Sequence, residues 1–172
     1  MAAIPFAKVS LDELEANAAS ETILSGWVTQ GPQVTAFEQE FTQLVGAAHA
    51  CAAINCTAAL HLALKAVGVG PGDEVITVSY SFLATANAIR YLDAMPVFID
   101  IEGGTYNMDP ALVEAAVTPK TKAVLCVHQL GMPCNLEPII AVSRKHGLKV
   151  VEDAACAIGS EIRIGSEWQS IG

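Results

Sequence analysis

The stretch Val150-Val151-Glu152-Asp153-Ala154-Ala155-Cys156-Ala157-Ile158-Gly159 decides the fold. An apolar run stops at carboxylates and gives way to small residues. Such a run reads as a strand buried on both faces, as in the parallel sheets of α/β proteins. Ligands of such sheets gather at the carboxyl ends of the strands. Asp153 therefore falls on that crest, where one negative charge can hold a cationic atom.

Upstream of this stretch the same alternation repeats. The expected strands are residues 50–54, 74–78, 96–100, 123–127 and 148–152, and helices are expected over 57–67, 82–92 and 137–146. Gly70-Pro71-Gly72-Asp73 is a turn, Asp109 caps a helix with Pro110 at its first position, and Gly147 ends the last helix. Ser10 and Glu13 have capping-box spacing, which starts a short helix running to about Ala18. Phe37, Phe41 and Leu44 recur at helical spacing after the turn-rich residues 25–32. Strands alternating with helices imply an α/β fold with right-handed crossovers and a mostly parallel sheet flanked by helices. No repeat, linker or low-complexity tract interrupts residues 1–172, which read as one domain.

Composition narrows the function classes. Lys plus Arg total 9 against 18 Asp plus Glu, a net charge of −9, which argues against a nucleic-acid partner. The hydrophobic fraction of 52% and mean hydropathy of +0.43 are high. The longest apolar region, residues 47–70, is broken by His49, Asn55, His61 and Lys65, so no membrane span is expected. A sheet covered on both faces, with apolar surface for a partner, accounts for the value better. No secretory signal pattern opens the chain. Five cysteines, an odd number without a CxxC pair, point to reduced thiols in a cytoplasm rather than to disulfides or a zinc site. His49, His61 and His146 have no metal-ligand spacing, and no metal is expected. His128 reads as a hydrogen-bonded structural histidine.

Three places converge if the sheet is parallel, because each lies just past a strand's carboxyl end. At Asn55-Cys56-Thr57 a helix start offers unpaired amides and a hydroxyl to a phosphate, although Thr57 read alone is more simply a helix cap. In Ser79-Tyr80-Ser81-Phe82 an aromatic residue opens a helix, where it can stack on a flat ring or belong to the core. Asp153 can pair with a protonated pyridine nitrogen, a helix start or an arginine. Together the three describe a ligand with a phosphate, a ring face and a cationic ring nitrogen, and pyridoxal phosphate has these handles. A nicotinamide dinucleotide is the rival, but Gly68-Val69-Gly70-Pro71-Gly72 follows a helix and precedes a strand, the reverse of what that motif requires.

The chain resembles the amino-terminal part of the DegT/DnrJ/EryC1/StrS family of pyridoxal-phosphate-dependent sugar aminotransferases. The matching phrases are Ser25-Gly26-Trp27-Val28-Thr29-Gln30-Gly31-Pro32, Thr57-Ala58-Ala59-Leu60-His61-Leu62-Ala63-Leu64 and Gly70-Pro71-Gly72-Asp73-Glu74-Val75-Ile76-Thr77. Further on come Pro96-Val97-Phe98-Ile99-Asp100, Thr118-Pro119-Lys120-Thr121-Lys122-Ala123, Val127-His128 with Gly131, and Glu152-Asp153-Ala154-Ala155. The resemblance implies the large domain of the aspartate-aminotransferase (fold type I) architecture, with a smaller carboxy-terminal domain beyond it, in a cytoplasmic homodimer. It implies that Cys56 and Thr57 hold the phosphate, Phe82 stacks on the ring, and Asp153 faces the pyridine nitrogen. Cys156 stands near the phenolic oxygen, where the family usually has glutamine or histidine, and Cys56 stands where a glycine is common. The implied reaction moves an amino group, typically from glutamate, onto a keto sugar carried by a nucleotide.

In this family the Schiff-base lysine lies downstream of a phrase similar to residues 165–172. Lys8, Lys65, Lys120, Lys122, Lys145 and Lys149 match no catalytic position. No catalytic residue is therefore assigned in this chain, which by itself is expected to be inactive. Two alternatives follow: a non-catalytic module that binds the cofactor or a subunit, and a sugar dehydratase of the same family, in which histidine replaces the lysine.

Overall fold

The structure is a computed structural model describing residues 8–172; the first residues of the amino-terminal stretch read for a signal, 1–7, lie outside the described residues. The chain divides into two compact units, one ending at Phe37 and one running from Glu38 to Gly172.

The first unit holds helix α1 (Glu13–Leu24) and the start of helix α2 (Pro32–Val45). α1 begins two residues later than the Ser10 spacing suggests. Asp12 is the N-cap: its carboxylate accepts from Leu14 N at 2.8 Å, and the Glu15 carboxylate accepts from Asp12 N at 2.8 Å. The same three-residue spacing occurs in both registers, and an ionised aspartate at the positive end of the helix dipole is the stronger cap.

The second unit carries the α/β core. In chain order its elements are α3 (Cys56–Ala66), β1 (Glu74–Val78), α4 (Leu83–Arg90), β2 (Met95–Ile99), α5 (Pro110–Val113), β3 (Thr121–Val127), α6 (Leu136–His146) and β4 (Lys149–Asp153). β5 (Glu161–Ile164) and β6 (Glu167–Ser170) follow as an antiparallel hairpin. The main sheet is four-stranded and parallel in the order β2-β1-β3-β4. The chain steps outward from β1 to β2, then returns to lay β3 and β4 on the other side of β1. Crossovers of one hand must then put helices on opposite faces, and they do. Val75, Ala123, Leu125 and Val151 pack with Leu60 and Leu64 of α3 and Ala88 and Ile89 of α4. Ile76, Val78, Val124 and Cys126 pack with Val113 of α5 and Leu136 and Ile139 of α6. Successive residues of β1 and β3 alternate between these clusters, as the pleat requires. Past their polar amino ends both strands are therefore apolar, apart from Thr77, whose hydroxyl donates to the Leu125 carbonyl at 2.8 Å.

The architecture is the expected one, a mostly parallel sheet flanked by helices. One expected strand is corrected: residues 50–54 are irregular. The Ala52 amide donates to the Glu38 carboxylate at 2.8 Å instead of to a neighbouring strand, and Ile54 is 92% exposed. A strand needs a partner, and a stretch of mostly small residues supplies little β preference of its own. The helix ends agree with their chemistry. Asp109 caps α5 with Pro110 at its first position, and Gly147 (φ 68°) closes α6 behind Arg144, Lys145 and His146. All five cysteines are free thiols. Among the described residues no helix is long and apolar enough to cross a membrane, and no cluster of His, Cys, Asp and Glu could hold a metal ion.

Candidate active site at the carboxyl edge of the sheet

Three segments meet at this edge. The first is the start of α3. Asn55, in extended backbone, turns its side-chain oxygen back to accept from Ala58 N at 2.9 Å, so Asn55 is the helix cap and the Thr57 hydroxyl is not. The first amides of the helix, those of Cys56 and Thr57, have no intrahelical acceptor, and the positive end of the dipole lies with them. Two amides, one free hydroxyl and a favourable dipole suit a phosphate.

The second segment is the start of α4. Phe82 is its N-cap residue and is 80% exposed, so its ring is not a core side chain. Thr85, one turn further on, is buried, and its hydroxyl lies 2.7 Å from that of Ser81.

The third is the end of β4. Asp153 is the last residue of the strand and is 7% exposed. The Thr85 hydroxyl donates to Asp153 Oδ2 at 3.1 Å. The Cys56 thiol points at Oδ1 at 3.7 Å, and the Ala155 amide donates to the same oxygen at 3.3 Å. Burial first, and then the Asp153 charge, push the Cys56 thiol up, so it stays protonated and serves as a donor. All these donors are uncharged. Among the described residues no lysine, arginine or histidine forms an ion pair with Asp153, and no helix begins behind it. Among the described residues Asp153 therefore has no arginine partner.

Cys56, Thr57, Phe82 and Asp153 thus belong to converging segments. Cys156 lies exposed in the turn after β4, with its carbonyl against Gly131. A Cβ on Gly131 (φ +88°) would stand 3.0 Å from that oxygen, which fixes glycine there. Sequence reasoning missed Asn55 as the cap and Thr85 as a partner of Asp153. The Asx-type cap was readable from Asn55 at the strand-to-helix junction. The Thr85 contact spans 68 positions of sequence and depends on the topology.

His128 is the hydrogen-bonded structural residue expected. The Cys134 amide donates to its Nδ1 at 2.9 Å, which leaves the proton on Nε2, 3.0 Å from the Glu152 carboxylate. Both ring nitrogens are committed, and the ring is buried.

The lysines of this unit lie elsewhere. Lys120, Lys122 and Lys149 stand at the amino ends of β3 and β4, while Lys65 and Lys145 lie in the last turns of helices that lead back to that edge.

The sequence model of the DegT/DnrJ/EryC1/StrS aminotransferase family matches residues 9–168. The spore coat polysaccharide biosynthesis protein SpsC of Bacillus subtilis is 52% identical over 155 residues, which cover 90% of this chain and 40% of that protein. The aminotransferase from Psychrobacter cryohalolentis superposes with a TM-score of 0.90 at 38% identity, covering 98% of this chain and 42% of that one. The NtdA protein of Bacillus subtilis, solved with bound cofactor PMP, superposes with a TM-score of 0.83 at 34% identity, covering 88% of this chain and 36% of that one. The chain spans 40% of the length of SpsC.

Proposed function

The chain belongs to the DegT/DnrJ/EryC1/StrS aminotransferase family, and from that premise we propose that residues 1–172 form the cofactor-gripping part of a pyridoxal-phosphate-dependent sugar aminotransferase. One observation carries the reading. Among the described residues, Asp153 is a buried carboxylate held only by uncharged donors, at the same sheet edge as the open amides of α3. A buried carboxylate without a cation is costly, and a protonated ring nitrogen supplies one.

The residues fit the cofactor. The amides of Cys56 and Thr57 and the Thr57 hydroxyl hold the phosphate. Phe82, exposed at the crest, covers the ring face. Asp153 keeps a proton on the ring nitrogen, and Cys156 stands beside the phenolic oxygen, where a thiol is a weak hydrogen-bond partner. When bound, pyridoxal phosphate supplies an electron-accepting ring through which an amino group passes between an amino acid and a carbonyl. The proposed donor is glutamate, and the proposed acceptor is a keto sugar carried by a nucleotide. The likeness to SpsC supports a place in polysaccharide synthesis. The working form is proposed to be a cytoplasmic homodimer.

A second reading has its own support. Every lysine of the unit Glu38–Gly172 lies toward the edge opposite Asp153, so the chain by itself binds the cofactor without turning it over. Absorbance titration with pyridoxal phosphate, followed by borohydride, tests both readings. Saturable non-covalent binding with no borohydride-fixed adduct is expected. An adduct mapped to a lysine of this chain would contradict the second reading, and failure to bind would contradict the first.

A further inference from the structure

We propose that Thr85, backed by Ser81, is a positioning residue that aims the Asp153 carboxylate at the cofactor's ring nitrogen. The inference rests on the reading of Asp153 given above and adds a residue to it.

Proton counting sets the direction of the bonds. A carboxylate only accepts, so the single hydroxyl proton of Thr85 goes to Asp153 Oδ2, 3.1 Å away. Thr85 Oγ1 can then only accept from Ser81, 2.7 Å away, so Ser81 must be the donor. The result is a directed chain from Ser81 through Thr85 to Asp153. Successive hydroxyls polarise one another, which strengthens the last bond in a buried setting, and Thr85 is 1% exposed.

The scaffold is rigid at this point. Thr85 lies in the first turn of α4, where its amide donates to the Phe82 carbonyl at 3.0 Å. A β-branched side chain in a helix has few χ1 choices, so the hydroxyl is held in one direction. The positive end of α4 also favours the carboxylate's charge. A carboxylate offers about four acceptor positions. Cys56, Ala155 and Thr85 occupy three of them, which leaves one for the ring nitrogen. The same helix start carries Phe82, so α4 ties the residue that covers the ring face to the residue that aligns the nitrogen's partner.

The test is calorimetric titration of the full chain with two ligands: pyridoxamine 5′-phosphate, which needs no lysine, and its carbocyclic analogue, with carbon in place of the ring nitrogen. Thr85→Val removes the hydroxyl and keeps the shape. It is expected to weaken the pyridoxamine phosphate complex roughly tenfold, the worth of one hydrogen bond to a charged group, and to leave the analogue unchanged. Thr85→Ser restores the difference, and Ser81→Ala loses a smaller part of it. Unchanged binding of pyridoxamine phosphate by Thr85→Val, or an equal loss for both ligands, overturns the inference. If the unaltered chain binds neither ligand, or binds both alike, the reading of Asp153 fails, and the inference fails with it.

Discussion

Two carboxylates end β4 side by side, and their surroundings differ in kind. Glu152 meets the Nε2 proton of His128, and His128 is locked in turn by the Cys134 amide. Asp153, one residue on, meets a thiol, a hydroxyl and an amide, all uncharged. Neighbouring strand residues point to opposite faces, so the α5/α6 side receives one acid and the α3/α4 side the other. The first network is complete within the chain, and its work is structural. The second holds a negative charge in place without neutralising it, which is how a site for a cationic ligand atom is built.

Asp153→Asn gives the largest expected effect on this contrast. Removing one partner of a buried charge pair costs about 2–5 kcal/mol, so the affinity for pyridoxamine phosphate should fall by well over tenfold in a calorimetric titration. Glu152→Gln, on the other face, should leave that affinity unchanged. His128→Phe sharpens the contrast from the other side. The Cys134 amide would lose its buried acceptor, and urea denaturation should show a loss of about 1–3 kcal/mol with ligand affinity intact. Gly131→Ala touches the boundary between the two regions. A Cβ 3.0 Å from the Cys156 carbonyl, on backbone at φ +88°, should cost about 1–3 kcal/mol of stability, read from the same denaturation curves.

The smallest effect concerns Cys56. Its thiol pKa is raised in the folded chain, so the folded state binds the proton more tightly than the unfolded state does. The stabilisation from this group is full below the ordinary thiol pKa and fades as pH rises through the raised value. Stability measured from pH 8 upward should therefore decline less in Cys56→Ala than in the unaltered chain. At pH 8 iodoacetamide should modify Cys56 more slowly in the folded chain than after unfolding.

The parts of the molecule legible in the sequence are those set by local chemistry. The strands at Glu74–Val78 and Lys149–Asp153 announce themselves as apolar runs between turn signals, and Gly147 and Asp109-Pro110 mark helix ends by backbone preference alone. Residues 50–54 look equally strand-like, but their backbone found Glu38 instead of a neighbouring strand. The β5–β6 hairpin has a local signal too: Ile162 and Ile164 alternate before Gly165-Ser166, a two-residue hairpin turn. At the site, Thr57, Phe82 and Asp153 could be named because each lies just past an apolar run. Thr85 could not, because its role depends on α4 being laid across the end of β4.

The most direct measurement is the ring-nitrogen NMR shift of pyridoxamine 5′-phosphate labelled with ¹⁵N and bound to the chain. The expected result is a protonated pyridinium signal in the unaltered chain that moves to the neutral pyridine position in Asp153→Asn. The same signal in both proteins would contradict the assignment of Asp153 as the partner of the nitrogen.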